Sequence, residues 1–194
     1  MRGGAPVVIG VGNDFRHDDG AGPAVLAVLQ AAREVLPDGV RLAVCDGEPT
    51  RMIELWDHAR LAIVVDAAAP DPGAGLLPGA VVRWEMPREP AAGRTAAGVA
   101  PPIRSDSSGT HALGPGTAVR LARVLDRLPE RLLLLAIVGA DFRPGPGLSE
   151  AVTETVAHVA REVAARLRRQ GPSAQSGGDL GPWPLSQPHT RLKS

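Results

Sequence analysis

One cysteine, no tyrosine, two phenylalanines and three tryptophans stand among 194 residues, and each scarcity excludes a class of function. A lone Cys45 cannot build an intrachain disulfide framework, an iron–sulfur cluster or a cysteine-based zinc site, and it points to a reducing compartment. So few aromatics leave no stacking platform for single-stranded nucleic acid. An excess of charge of either sign is also missing: 21 Lys and Arg balance 21 Asp and Glu, so no global field draws the chain to nucleic acid or to an anionic membrane. The first apolar run is short and is broken by Asn13 and Asp14, with only Arg2 basic before it, so neither a signal-peptide core nor a spanning helix is expected. The expected setting is the cytoplasm, with no nucleic acid and no membrane as partner, and the chain is expected to be a monomer.

What is present is Val, Leu, Ile and Ala enough for one core, and a length that suits one domain. The stretch VVIGVGNDFRHDDGAGPAVLAVL, from Val7 to Leu29, reads as a strand, a tight loop and a helix. Val7, Val8 and Ile9 suit a buried strand, and Gly10 and Gly12 permit the turn that ends it. Val25, Val28, Leu29, Ala32 and Leu36 then recur at helical spacing from a start near Gly20 to Ala24. Val40 to Val44 reads as a second strand ended by Asp46-Gly47, and Met52, Leu55, Trp56 and Ala59 mark a short helix. Leu61 to Val65 is a third strand, apolar throughout, with Asp66 directly at its carboxyl end. Ala80 to Trp84 reads as a fourth strand of undetermined direction, and Met86 to Ser108 as a long aperiodic loop, a mobile flap. Ala118, Leu121, Ala122, Leu125 and Leu128 form a helical stripe that Ser108 or Thr110 would cap. Leu132 to Val138 is a central strand, and Val152 to Leu167 carries the last amphipathic helix, with Glu162 and Arg166 paired four apart on its outer face.

This alternation predicts a single three-layer α/β/α domain over residues 1–170, with a mostly parallel twisted sheet of about five strands. Residues 171–194, rich in Gly, Pro, Ser and Gln without an apolar period, read as a disordered tail.

The loop after the first strand admits two ligands. Gly10-Val11-Gly12 begins a dinucleotide fingerprint, but Phe15 stands where the third glycine belongs, and Asp14, Asp18 and Asp19 oppose an anion. Carboxylates at a loop tip suit a cation instead. A plainer role for Asp18 or Asp19 is to cap the following helix, worth roughly 1 kcal/mol. Ligands of open α/β sheets bind beyond the carboxyl ends of the strands. There Asp19, Asp66 and His111 can share one cleft, two carboxylates and an imidazole suited to zinc, nickel, cobalt or manganese with positions left open.

Gly10-Val11-Gly12-Asn13 followed by Asp18-Asp19-Gly20-Ala21-Gly22 resembles the amino-terminal signature of the nickel–iron hydrogenase maturation endopeptidases, which trim the carboxyl-terminal tail of the hydrogenase large subunit. Asp46-Gly47, Val65-Asp66-Ala67, Thr110-His111-Ala112-Leu113-Gly114, Val138-Gly139 and Gly147-Leu148-Ser149 follow in the family's order, so the resemblance spans Val7 to Leu167. It implies an endopeptidase in which Asp19, Asp66 and His111 bind metal and carry catalysis. The metal implied is nickel already held by the large-subunit precursor, the partner, with no permanently bound cofactor in the protease. Two departures from the family pattern are present. Asp19 stands where many relatives carry Glu, and Glu48-Pro49-Thr50 follows Asp46-Gly47 where Gly-Thr is usual, which implies a different substrate preference.

Two other functions fit the same residues. A non-enzymatic nucleotide- or metal-binding module would use the Gly10 to Gly12 loop. A serine hydrolase would use Ser105, Ser107 or Ser108 with His111, but no Gly-x-Ser-x-Gly elbow supports it, and serines so near the histidine suit a helix cap.

Overall fold

Val7–Val11 (β1) is buried along its whole length, as a strand of β-branched residues covered on both faces must be. In the computed structural model, which describes residues 4–70, 73, 75–87 and 114–169, β1 lies inside a five-stranded sheet. The other elements are α1 (Ala21–Ala31), β2 (Arg41–Cys45), α2 (Pro49–Trp56), β3 (Ala62–Ala68), β4 (Val81–Pro87), α3 (Gly114–Val124), β5 (Arg131–Val138) and α4 (Glu150–Arg169). One 3-10 turn, His17–Gly20, leads into α1, and a second, Arg33–Val35, follows it. The strand order is β2-β1-β3-β5-β4. The first four of these run parallel, and β4 closes the edge antiparallel to β5, which supplies the direction that sequence left open.

Alternation along the strands divides the core in two. Val8, Ile63, Val65, Leu133 and Leu135 face α1 and α4, whereas Val7, Ile9, Val64, Leu132 and Leu134 face α2 and α3. This is the expected three-layer arrangement. Trp56 is fully buried on the second face, where its indole N–H donates to the Arg127 carbonyl at 3.2 Å.

Four expectations need correction. The first helix stops at Ala31 instead of carrying its stripe to Leu36; Val28 is exposed, and Leu26 takes its place in the core. The helix follows the curve of the sheet for three turns, and the 3-10 turn then redirects the chain toward β2. The third strand does not end before Asp66: it runs to Ala68, because the long β5 pairs with it up to Ala68↔Val138 after β1 has stopped at Val65. The stripe assigned to the later helix also ends early, with α3 closing at Val124 and Leu125 half exposed. The fourth strand also runs past Trp84 to Pro87, pairing with β5 there, so Met86 and Pro87 belong to β4 and not to the flap expected from Met86 to Ser108. The remainder of that flap, the caps Ser108 and Thr110, and the tail 171–194 lie outside the described residues. Among the described residues no helix is long and apolar enough to cross a membrane.

Candidate active site

The chain leaves β1 for β2 on one side and returns past it to β3 on the other, so a crevice opens between the carboxyl ends of β1 and β3. Such a switch in strand order is where open α/β sheets bind their ligands. The two sequence-predicted carboxylates flank it. Asp19 sits in the 3-10 turn after β1, and Asp66 near the end of β3.

Glycines bring these elements together. A Cβ on Gly12, whose φ is 136°, would lie 1.8 Å from the carbonyl oxygen of Asp19. A Cβ on Gly10 would lie 2.6 Å from the Gly22 carbonyl oxygen. Only bare backbone at these points lets the turn fold back over the end of β1 and seats the first turn of α1 on the sheet.

Asp19 is half-buried, and one of its carboxylate oxygens accepts the Asn13 N–H at 3.0 Å. Burial raises its pKa, opposed by the nearby Arg16 charge and the Asn13 N–H. Asp66 is buried and, among the described residues, accepts one hydrogen bond, from the Ala67 N–H at 2.9 Å. Burial pushes its pKa up to about 7; the Ala67 N–H pulls it down, and the charge of Asp19 raises it further. Among the described residues each carboxylate thus accepts one hydrogen bond, Asp66 in a buried place and Asp19 in a half-buried one. That donor set fits a cation, which would replace mutual repulsion with attraction and return Asp66 to its ionised form.

By strand alternation Asp66 shares the parity of Val64, on the sheet face covered by α2 and α3. The third predicted member, His111, lies outside the described residues, three positions before α3 begins at Gly114. Among the described residues no group of three His, Cys, Asp or Glu side chains is gathered for a metal. Ser105, Ser107 and Ser108 of the serine-hydrolase alternative also lie outside the described residues.

Sequence reasoning treated Asp18 and Asp19 as interchangeable candidates for a cap, and they are not. Asp18 is completely buried and caps neither helix of its own segment. Its Oδ2 accepts the Ala140 N–H at 2.7 Å, the Asp141 N–H at 3.0 Å and the Ser149 hydroxyl at 2.8 Å, and its Oδ1 accepts the Ser149 N–H at 2.6 Å. Burial alone would raise its pKa, but these four donors together hold it below the usual carboxylate range. The only sequence hint was Gly139 and Ser149 in the later motifs, which do not announce a partner more than a hundred residues away.

The departure Glu48-Pro49 has a local explanation. Glu48 caps α2, accepting the Thr50 N–H at 3.0 Å and the Arg51 N–H at 2.7 Å, and Pro49 occupies the first helical position, where its missing N–H costs nothing. Asp46, at the carboxyl end of β2, accepts the Glu48 N–H at 3.2 Å and so shapes the turn that carries this cap.

No protein-family profile matches the chain, and no curated protein matches it in sequence. Solved structures do match it. The hydrogenase maturating endopeptidase HybD from E. coli superposes with a TM-score of 0.65 at 21% identity, over 86% of this chain and 94% of that one. An endopeptidase from Escherichia coli, solved in solution, gives 0.68 at 20% identity over the same shares, 86% and 94%. The [NiFe] hydrogenase maturation protease HycI from Thermococcus kodakarensis KOD1 gives 0.56 at 19% identity, again over 86% and 94%. The fold of this chain is the fold these proteases share.

Proposed function

We propose that the protein is a hydrogenase maturation endopeptidase, which removes the carboxyl-terminal extension of a nickel-loaded nickel–iron hydrogenase large-subunit precursor. The observation that carries the reading is the placement of Asp19 in the turn after β1 and of Asp66 near the end of β3, beside the switch in strand order, on a fold whose solved examples are maturation proteases. The family motifs along the chain support it in the same order.

In this reading the metal arrives with the substrate. Asp19, Asp66 and His111 engage the precursor's nickel and hold the adjacent peptide bond. The substrate's ion supplies polarisation of the carbonyl or a water made acidic enough to attack at neutral pH. The protein's own contribution is orientation and a site low in water, where two carboxylates with spare acceptor positions meet a cation strongly. In the alternative in which one carboxylate acts as general base instead of binding the ion, Asp19 or Asp66 would take the proton from the attacking water. A dependence on nickel would make trimming follow metal loading. The buried, solitary Cys45 suits the reducing cytoplasm in which such a precursor is assembled.

Incubating nickel-loaded and metal-free precursor with wild-type protein and with His111→Ala tests the proposal. Trimming is expected only with the nickel-loaded precursor and only by the wild type. Unimpaired trimming by His111→Ala would remove that residue from the mechanism, and no trimming by the wild type would end the protease reading. Nucleotide binding is disfavoured by charge: Asp14, Asp18 and Asp19 all lie in the loop that a phosphate would have to approach.

A further inference from the structure

We infer that Asp18 and Ser149 form a positioning pair: the buried Asp18 carboxylate, gripped by residues 140–149 at the approach to α4, fixes the backbone from which the neighbouring Asp19 presents its carboxylate. The inference rests on the metal-dependent reading above and adds to it two residues that do not touch the substrate.

The distribution of hydrogen bonds carries it. All four donors to the Asp18 carboxylate come from residues 140–149, the segment joining β5 to α4, and none from its own loop. The backbone repeats the connection. Asp18 N–H donates to the Asp141 carbonyl at 3.0 Å, His17 N–H to the Gly145 carbonyl at 2.8 Å, and Gly145 N–H to the Phe15 carbonyl at 2.8 Å. Arg16 adds a guanidinium bond to the Phe142 carbonyl at 3.2 Å. His17, between these anchors, is held in the left-handed region at φ 44°, a conformation a non-glycine residue keeps only where its surroundings impose it. Gly139 leaves the room: a Cβ there would come within 2.9 Å of the Asp18 Cβ.

Asp19 presents the opposite pattern. Its carboxylate takes one described bond, from Asn13, and Asp66 takes one, from Ala67. A side chain that must exchange partners when a substrate arrives cannot be tied down by many bonds, so its aim has to come from its backbone. The Cα atoms of successive residues are about 3.8 Å apart. A residue clamped by four hydrogen bonds therefore leaves its successor little freedom of direction. Active-site geometry tolerates displacements of only about 0.5 Å, so loosening this clamp misdirects Asp19 without removing it.

The test uses Asp18→Asn, which keeps the shape but turns an amide N–H₂ toward groups that donate, and Ser149→Ala, which keeps the carboxylate and removes the hydroxyl. For each, kcat and KM are measured on nickel-loaded precursor well below the melting temperature, and Zn²⁺ alone is titrated calorimetrically into the free protein. Asp18→Asn is expected to lower kcat by about 30-fold with KM within about twofold, and Ser149→Ala by roughly 10-fold. The double variant should be no slower than Asp18→Asn, because both act through one clamp. A lower melting temperature with wild-type kcat and wild-type Zn²⁺ affinity would reduce Asp18 to a structural anchor and overturn the proposal. If Asp18→Asn does not fold, Ser149→Ala decides the matter by the same readouts. If the wild type does not trim the precursor, the protease reading fails and the titration decides: Zn²⁺ affinity about 10-fold weaker in Asp18→Asn supports positioning, and equal affinity, or no binding by the wild type, overturns it.

Discussion

Gly22, in the first turn of α1, rests directly on the Val65 carbonyl of β3: a Cβ on Gly22 would lie 2.6 Å from that oxygen and 2.3 Å from the Val11 carbonyl oxygen. At Gly22 the helix thus meets two strands, β1 and β3, through backbone, beside the switch point that Asp19 and Asp66 flank. Gly22→Ala should separate α1 from the sheet at this point. A loss of about 3 kcal/mol or more is expected in urea unfolding, with Gly39→Ala as a comparison, where the added methyl meets no described atom within 4 Å and only the backbone angle is strained. Equal stability of the two variants would mean that the close approach does not matter.

Asp66 couples stability to function with opposite signs. Its folded pKa of about 7 lies above the roughly 3.9 of an unfolded aspartate. The folded state therefore holds the proton more tightly, and the contribution of this group to stability is complete below about pH 4 and declines as pH rises to about 7. At pH 8 in the absence of metal, Asp66→Asn should be more stable than the wild type by up to about 4 kcal/mol, with little gain at pH 4. The same variant should lose precursor trimming. Parallel stability profiles for the two proteins between pH 4 and pH 8 would contradict this.

Asp19 is half-buried in a turn whose shape comes from Asp18, Gly12 and Gly145, so its carboxylate can be removed without unfolding the loop. Asp19→Ala is expected to keep the melting temperature within about 3 °C and to cut kcat by 100-fold or more, on the scale of about 3 kcal/mol for a group that polarises or orients the reacting bond. Asp19→Glu, which keeps the charge and adds one methylene, should retain measurable trimming. A fully active Asp19→Ala would exclude this carboxylate from the chemistry.

Glu162 of α4 is tied to the far edge of the sheet. Its Oε2 lies 2.8 Å from Arg83 on β4, and its Oε1 lies 3.0 Å from Arg166. Partial burial raises its pKa, but the two guanidinium groups outweigh burial and hold it below the usual glutamate range. For an acid lowered by folding, the stabilisation is present above the unfolded pKa of about 4.3 and is lost as pH falls through the folded value. Glu162→Gln should cost about 1 kcal/mol at pH 7 and little once the wild-type carboxylate is protonated, without affecting trimming. A constant difference from pH 7 to pH 2 would show that packing, not charge, holds this contact.

Local pattern was enough for the architecture. The uninterrupted apolar runs at Val7, Leu61 and Leu132 could only be strands buried on both faces, and the period of Val152 to Leu167 could only be a helix lying on them, because burial imposes those periods residue by residue. The placement of Asp19 and Asp66 at one end of the sheet followed from the order of strands and helices, and the motif order around them implied the family whose fold the chain shares. Tertiary structure alone decided the direction of β4, the extension of β3 through Asp66, and above all the separation of Asp18 from Asp19. Adjacent and chemically identical in the chain, one is buried under four donors from residues 140–149 and the other is left with a single described bond. That difference arises from partners more than a hundred residues distant, and a linear pattern carries no record of which distant N–H groups the fold will bring against a carboxylate.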